Sequence, residues 1–218
     1  MKYVIGNWKA NKNLVETGLW LTTFLNFDFS RIQNRVTLIL CPPYPLIPLV
    51  KEKLSGLPFV KIGCQNISFY NPGAYTGEVP ARSIVGLVDY CIVGHSERRQ
   101  YFSENHDYLA VKVKHLQSVN IEPIFCVRAV TDPYPPSIKF LAYEPVFAIG
   151  SGQSDSLDNI IKVKHQLKLP DQCSFIYGGS VTDQNAINFL ECQEIDGVLP
   201  GGASLDPKVL YEILNDCP

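Results

Sequence analysis

Short apolar runs alternate with longer amphipathic stretches along the whole chain. The runs cover residues 3–8, 36–41, 59–64, 90–94, 122–127, 138–144, 174–178 and 195–199. Each is brief and bounded by turn-forming residues, which predicts eight buried strands. Helical patterns fill 14–27, 45–54, 80–87, 104–119, 157–167, 183–190 and 207–215. Ser103, then Asp155 or Ser156, then the Asp206-Pro207 pair mark the starts of three of these helices. Such side chains accept from the unpaired amides of a first turn, and proline is preset for it. Strand–helix alternation calls for a parallel sheet. Eight strands with their polar chemistry at the carboxyl ends fit a closed (β/α)8 barrel. A doubly wound open sheet is the alternative, but it wants a glycine-rich nucleotide turn after its first strand. That strand runs instead into Asn7-Trp8-Lys9. No linker, low-complexity tract or short repeat interrupts the pattern, so residues 1–218 are expected to form one domain.

One connection breaks the alternation. Between the fifth and sixth strands lie the ten residues 128–137, with prolines at 133, 135 and 136. Three prolines exclude a regular helix there. Ten extended residues still reach roughly 33 Å, enough to return along a strand of about 20 Å. The barrel can therefore close as a compact variant that lacks one outer helix. The outer face of strands five and six is expected to be poorly covered, left to a subunit contact or a neighbouring helix.

Composition narrows the function. An apolar share of 46% against 18% charged residues is that of a globular chain, not a disordered one. A net charge of −2 leaves no electrostatic footprint for nucleic acid. No apolar run is long enough to span a bilayer, and the first residues lack a signal-peptide shape, so a cytoplasmic location is the default expectation. The seven cysteines are scattered without a CxxC pair, which favours buried thiols over a disulfide framework or a zinc site.

The chemistry gathers at strand ends. Residues 140–143 lead into Glu144, and Pro145 stops the strand because it cannot donate to a ladder. A carboxylate there, under a loop with an apolar middle, suits a general base that a lid can shut off from water. A capped strand end is the plainer alternative. The first strand delivers Lys9, a cation able to neutralise an anionic substrate at the barrel mouth. The fourth runs into His95-Ser96-Glu97-Arg98-Arg99 and so places His95 at a strand-to-helix junction. Positive charge at a helix start disfavours imidazolium, and a neutral imidazole can polarise a carbonyl and shuttle a proton. His106, His115 and His165 fall in helical patterns and read as surface residues. Gly150-Ser151-Gly152, Gly178-Gly179-Ser180 and Gly201-Gly202 follow the last three strands. Glycine lets backbone N–H groups approach an anion closely, and barrels often hold phosphate after strands seven and eight. Ser180 adds a hydroxyl donor. The Walker and dinucleotide patterns are both missing, so a small phosphorylated molecule is favoured over a nucleotide. Residues 73–78, with Tyr75, Thr76 and Glu78 between or beside two glycines, read as a protruding loop.

Taken together, these stretches resemble the triosephosphate isomerase family. The matching segments are Gly6-Asn7-Trp8-Lys9, Cys64-Gln65-Asn66, 73–78, Val93 to Arg99, Ala142 to Gly150, Tyr177 to Val181 and Gly201 to Leu205, in family order. The resemblance implies interconversion of D-glyceraldehyde 3-phosphate and dihydroxyacetone phosphate through an enediolate, with no metal or organic cofactor. It implies Glu144 as base, neutral His95 as electrophile and proton shuttle, and Lys9 as electrostatic stabiliser. Asn7 would position substrate, and Glu97 would support Lys9. Phosphate would meet the backbone N–H groups of Gly150, Ser180, Gly201 and Gly202. The lid would be Pro145, Val146, Phe147, Ala148, Ile149, Gly150, Ser151 and Gly152. A homodimer is implied, with Tyr75, Thr76 and Glu78 on a loop that reaches the neighbour's site. The neutral histidine of this family is a known instance of pKa tuning.

The departures are specific. The family usually continues its fifth strand Cys-x-Gly-Glu, where this chain reads Cys126-Val127-Arg128-Ala129. Phe147 stands for a usual tryptophan, Ser151 for threonine and Pro200 for valine. Pro200 removes its own N–H and leaves those of Gly201 and Gly202, so phosphate binding is expected to survive. The contact of Leu199 with Ile149 and Glu144 is the part open to adjustment. A noncatalytic barrel that keeps the pocket, or another phosphate-binding barrel enzyme, is the competing reading.

Overall fold

A computed structural model describes residues 1–148 and 152–218. Eight strands form a closed barrel in sequence order, every neighbour parallel. They are β1 (Lys2–Asn7), β2 (Val36–Cys41), β3 (Val60–Cys64), β4 (Tyr90–Val93), β5 (Glu122–Val127), β6 (Phe140–Tyr143), β7 (Ser174–Tyr177) and β8 (Gly197–Val198). The helices are α1 (Leu14–Phe24), α2 (Ile47–Leu54), α3 (Ser96–Tyr101), α4 (His106–Gln117), α5 (Leu157–Leu167), α6 (Ala186–Leu190) and α7 (Pro207–Asn215). None is long and apolar enough to cross a membrane.

Alternation along each strand divides the core in two. Ile5, Ile39, Ile92, Ile124, Cys126, Ala142 and Ile176 fill the barrel interior. Phe125, Val127, Leu141 and Tyr143 belong to the larger layer between barrel and helices. Period-two alternation sends neighbours to opposite faces, so both faces of every strand are apolar and the strands read as continuous runs. β8 is the shortest strand. It approaches β1 so closely that a Cβ on Gly197 would sit 2.2 Å from the Tyr3 carbonyl oxygen. Only glycine closes the barrel there.

Helix starts follow local chemistry, with one correction. Asn13 and Glu16 form a reciprocal capping box on α1, Ser156 caps α5 and Asp206 caps α7. Ser103 is not a cap: it lies at φ +53, and Asn105 accepts from Tyr108 N–H at the start of α4. The helix expected over 80–87 is a 3₁₀ turn, Ala81–Ile84, ended by extended Val85 and by Gly86 at φ +77. The short α3 carries no apolar period of its own and is missing from the sequence-predicted helices.

The β5–β6 connection contains no helix, as its prolines require. The outer face of β5 and β6 is better covered than expected, and a neighbouring helix, one of the two covers anticipated, supplies part of that cover. The outward residues Phe125, Val127 and Leu141 are fully buried, and Tyr143 is 4% exposed. Cover comes from within the chain. α4 packs on β5, and the Arg99 guanidinium lies 5.7 Å from the Phe125 ring centroid. The connection also folds back: Ile138 is buried and Tyr134 packs against the same apolar layer. Two ties hold it. Arg128 grips Asp132 in a fork, Nε to Oδ2 at 2.9 Å and Nη2 to Oδ1 at 2.8 Å. Gln117 Nε2 of α4 donates to the Ser137 carbonyl at 3.1 Å. Five of the seven cysteines are buried and all are free.

Candidate active site

The carboxyl ends of β1, β4, β6, β7 and β8 converge on one mouth. Trp8, fully buried, anchors the first of these by donating from Nε1 to the Ser204 carbonyl at 3.1 Å. The chain then turns sharply, with Lys9 at φ +51 and its N–H on Asn7 Oδ1 at 3.0 Å. Gln65 Nε2 bridges the Lys9 and Cys41 carbonyls at 2.8 and 2.9 Å. This turn presents Lys9 Nζ to Glu97 Oε1 at 2.6 Å. Both side chains remain about a third exposed, so the pair orients the lysine more than it stabilises the fold.

His95 follows Gly94, which sits at φ +74 where an added Cβ would strike Leu109 at 2.9 Å. The imidazole caps α3: Nδ1 accepts the Glu97 backbone N–H at 3.2 Å. With Nδ1 taken by that amide, Nε2 is the ring nitrogen left facing the site. Nε2 lies 3.4 Å from Glu144 Oε1.

Glu144 has no solvent exposure. Its own N–H extends the ladder beyond β6 to the Val127 carbonyl at 2.8 Å. Its Oε2 accepts the Ser96 N–H at 3.1 Å. Oε1 has no hydrogen-bond donor among the described residues apart from the nearby imidazole. Gly178 backs the side chain, leaving no room for a Cβ, which would lie 2.9 Å from Glu144 Cγ. Burial, then the adjacent Glu144 charge, pushes the Cys126 thiol well up, so it stays protonated beneath the carboxylate.

A cavity of about 210 Å³ opens beside these groups, lined by Lys9, His95, Gly152, Gly178, Ser180, Thr182, Leu199, Gly201 and Gly202. The glycines of strands seven and eight therefore meet the lysine and histidine in one space. The Ser180 hydroxyl does not point to an anion; it donates to the Ala148 carbonyl. Ser204 Oγ and N–H both hold the Gly201 carbonyl, at 2.7 and 2.9 Å. Pro200 keeps its carbonyl on the Asn7 N–H at 3.0 Å. Val146 and Phe147 are exposed, whereas Ala148 is buried. Of the sequence-predicted lid, Ile149, Gly150 and Ser151 lie outside the described residues.

A second cavity of about 350 Å³ adjoins Asn7, Lys9, His95 and Glu97 and is walled by Pro43, Tyr44, Asn66 and Phe102. Residues 71–78 stand exposed, with the Tyr75 ring stacked on Tyr70 at 4.0 Å and Glu78 accepting from Ser68. Thr76 thus projects into solvent. Two contributors were given no role in the sequence: the Ser96 amide and Gln65. Backbone donors leave no side-chain signature. Gln65 could have been found from its place just beyond the third strand.

With this geometry in view, comparison with known proteins is direct. The sequence profile of the triosephosphate isomerase family matches residues 2–135 and 136–217. The break between the two matches falls inside the helix-free connection. A triosephosphate isomerase of Dictyoglomus turgidum is 33% identical over 248 aligned positions, covering 98% of each chain. One of Aquifex aeolicus is 34% identical over 246, again covering 98% of each. These alignments are longer than the 218-residue chain, so the relatives carry residues that this chain lacks. The chain belongs to the triosephosphate isomerase family.

Proposed function

We propose that this protein interconverts D-glyceraldehyde 3-phosphate and dihydroxyacetone phosphate by proton transfer through an enediolate. The observation that carries the reading is the pairing of buried Glu144 with the His95 imidazole, Oε1 to Nε2 at 3.4 Å, beside a cavity that Lys9 shares. Glu144 takes the proton from one carbon and returns it to the next. His95 Nε2–H polarises the carbonyl and moves a proton between the two oxygens. Lys9 Nζ, oriented by Glu97, meets the charge that develops on the enediolate, and Asn7 fixes the lysine turn and the substrate. Phosphate takes the N–H groups of Gly150, Ser180, Gly201 and Gly202. Residues 145–152 act as the lid that keeps the enediolate dry and strengthens each charge contact.

The same reading extends to a cytoplasmic homodimer. The exposed 71–78 loop has the reach of a plug, and the second cavity opens beside the catalytic groups as its socket. Thr76 then enters the cavity beside Lys9 of the partner subunit. A coupled assay with glyceraldehyde 3-phosphate tests the activity. Glu144→Asp, which withdraws the base by one methylene, is expected to lower kcat roughly hundredfold or more. Wild-type protein without turnover overturns the activity, and a monomer in sedimentation overturns the dimer.

A further inference from the structure

β4 stops short of β5. The backbone of the even-numbered residues of β5 faces that strand, as the Glu122 N–H shows by donating to the Asp89 carbonyl at 2.9 Å. Pairing along this edge ends at Val93 with Phe125, because Gly94 at φ +74 turns the chain away. The Cys126 carbonyl and the Arg128 N–H come next on the same edge, by the period of two, and have no strand to meet. Two side chains take the strand's place. Arg99 donates from Nη2 to the Cys126 carbonyl and from Nε to the Gly94 carbonyl, both at 2.8 Å. Asp132 Oδ2 accepts the Arg128 N–H at 2.8 Å.

The Arg128 N–H and the Val127 carbonyl belong to one planar peptide, so fixing one end fixes the other. The other end is the Val127 oxygen, which accepts the Glu144 N–H at 2.8 Å. A line of hydrogen bonds thus runs from the Asp132 carboxylate, through the 127–128 peptide, to the backbone of the buried glutamate. Bonds linked in this way polarise and strengthen one another. The carboxylate is itself held. The Asp132 N–H closes a turn on the Ala129 carbonyl at 3.1 Å, and Pro133 restrains the dihedral that follows. Arg128 Nε and Nη2 engage the two carboxylate oxygens at 2.9 and 2.8 Å. Burial lowers Arg99 from the ordinary guanidinium range, and Asp132 is the foremost charge opposing that fall. Asp132 therefore also supplies counter-charge to its neighbour on this edge.

We propose that Asp132 is a positioning residue for the isomerisation: its carboxylate, acting through the 127–128 peptide, sets the backbone from which Glu144 reaches its substrate. The inference rests on the isomerase reading given above. Without the carboxylate, the peptide is free to rotate until its N–H meets water. The Val127 oxygen turns with it, and the Glu144 N–H loses a fixed acceptor. The base then strays from the carbon whose proton it takes. The Arg128 fork differs in kind, because it grips Asp132 from outside and is not a link in the line to Glu144.

The test compares Asp132→Ala, Asp132→Asn and Arg128→Ala by steady-state kinetics, thermal melts and amide hydrogen exchange followed by NMR. Asp132→Ala is expected to lower kcat roughly tenfold with KM within about twofold, as for an interaction used in the transition state. Its Glu144 N–H should gain roughly tenfold in exchange rate beyond any change at the β2 amides, which a general loss of stability would not produce. Asp132→Asn, which keeps an acceptor for the Arg128 N–H, should fall between. Arg128→Ala removes the same fork and leaves the peptide line, so it should lower the melting temperature with kcat within about threefold. A folded Asp132→Ala protein with kcat within about twofold of wild type would overturn the proposal. So would an Arg128→Ala loss of kcat as large as that of Asp132→Ala, or Glu144 exchange that only follows β2. Wild-type protein without turnover overturns the functional reading and the catalytic role with it, whereas the exchange measurement decides the tie to Glu144 on its own.

Discussion

Gly178→Ala probes whether β7 sets the position of the base. A Cβ there would lie 2.9 Å from Glu144 Cγ and 3.5 Å from both Oε1 and the Tyr143 carbonyl oxygen. Carbon atoms prefer roughly 3.5–4.0 Å, so the glutamate side chain must withdraw by about 0.6 Å or more. The backbone opposite cannot yield, because the Gly178 N–H is held on the Tyr143 carbonyl at 2.9 Å. A misplacement near 1 Å costs about hundredfold, so kcat should fall roughly ten- to hundredfold, with a smaller change in KM. Overpacking should also cost about 1–3 kcal/mol, a fall of roughly 2–12 °C in melting temperature for a chain of this size. The assay is steady-state kinetics on protein shown by its melt to be folded. Gly18→Ala in α1 is the control, since nothing lies within 4 Å of its added Cβ. It should leave kcat unchanged and add about 0.5–1 kcal/mol of stability. A folded Gly178→Ala protein with wild-type kcat would show that the carboxylate is placed by something other than this contact.

Two further perturbations test the supports of the site. Asp132→Ala removes the fork on Arg128 and should cost about 1–2 kcal/mol, discounted because Arg128 is more than a third exposed. Burial opposes ionisation of Asp132, but the Arg128 hydrogen bonds outweigh it and hold its carboxyl below the usual value. A depressed folded value means the contribution is whole above the unfolded value of about 3.9 and is lost as pH falls through the folded one. The gap between wild-type and variant melts should therefore close under acid; a gap independent of pH contradicts the charge argument. Glu104→Ala strands buried Lys112, whose Nζ rests on Glu104 Oε1 at 2.6 Å, and also frees Arg98. It should cost about 3–5 kcal/mol, roughly 10 °C in the melt; a shift under 2 °C would show the cluster to be dispensable.

The strands were legible because each is apolar on both faces and ends at a turn signal. β2 and β5 begin and end where the pattern says, as do α5 and α7. The outer cover of β5 and β6 was legible only in part, as a neighbouring helix. It comes from Tyr134 and Ile138 folding back and from α4 packing across, and neither arrangement leaves a mark in the proline-rich segment itself. Ser103 failed as a cap because Asn105, two residues on, competes for the same role and starts the apolar period in phase. At the site, the structure brings the sequence-predicted Lys9, His95, Glu144 and the glycines 178, 201 and 202 together. The groups that hold them were not legible. The Ser96 amide belongs to a residue whose type is immaterial to the bond, and the Ser180 hydroxyl donates to the Ala148 carbonyl, a pairing no motif announces.

The strap between β5 and β6 also bears on how the barrel assembles. It is the shortest of the connections between successive strands. Loop closure grows more costly with length, by about 0.6 kcal/mol per doubling, and distant pairings slow folding. With so short a connection, β5 and β6 are the entropically least costly parallel pair of the barrel. The strand that bears Glu144 thereby becomes the natural early partner in folding, registered against β5 before the two ends of the sequence meet at β1 and β8.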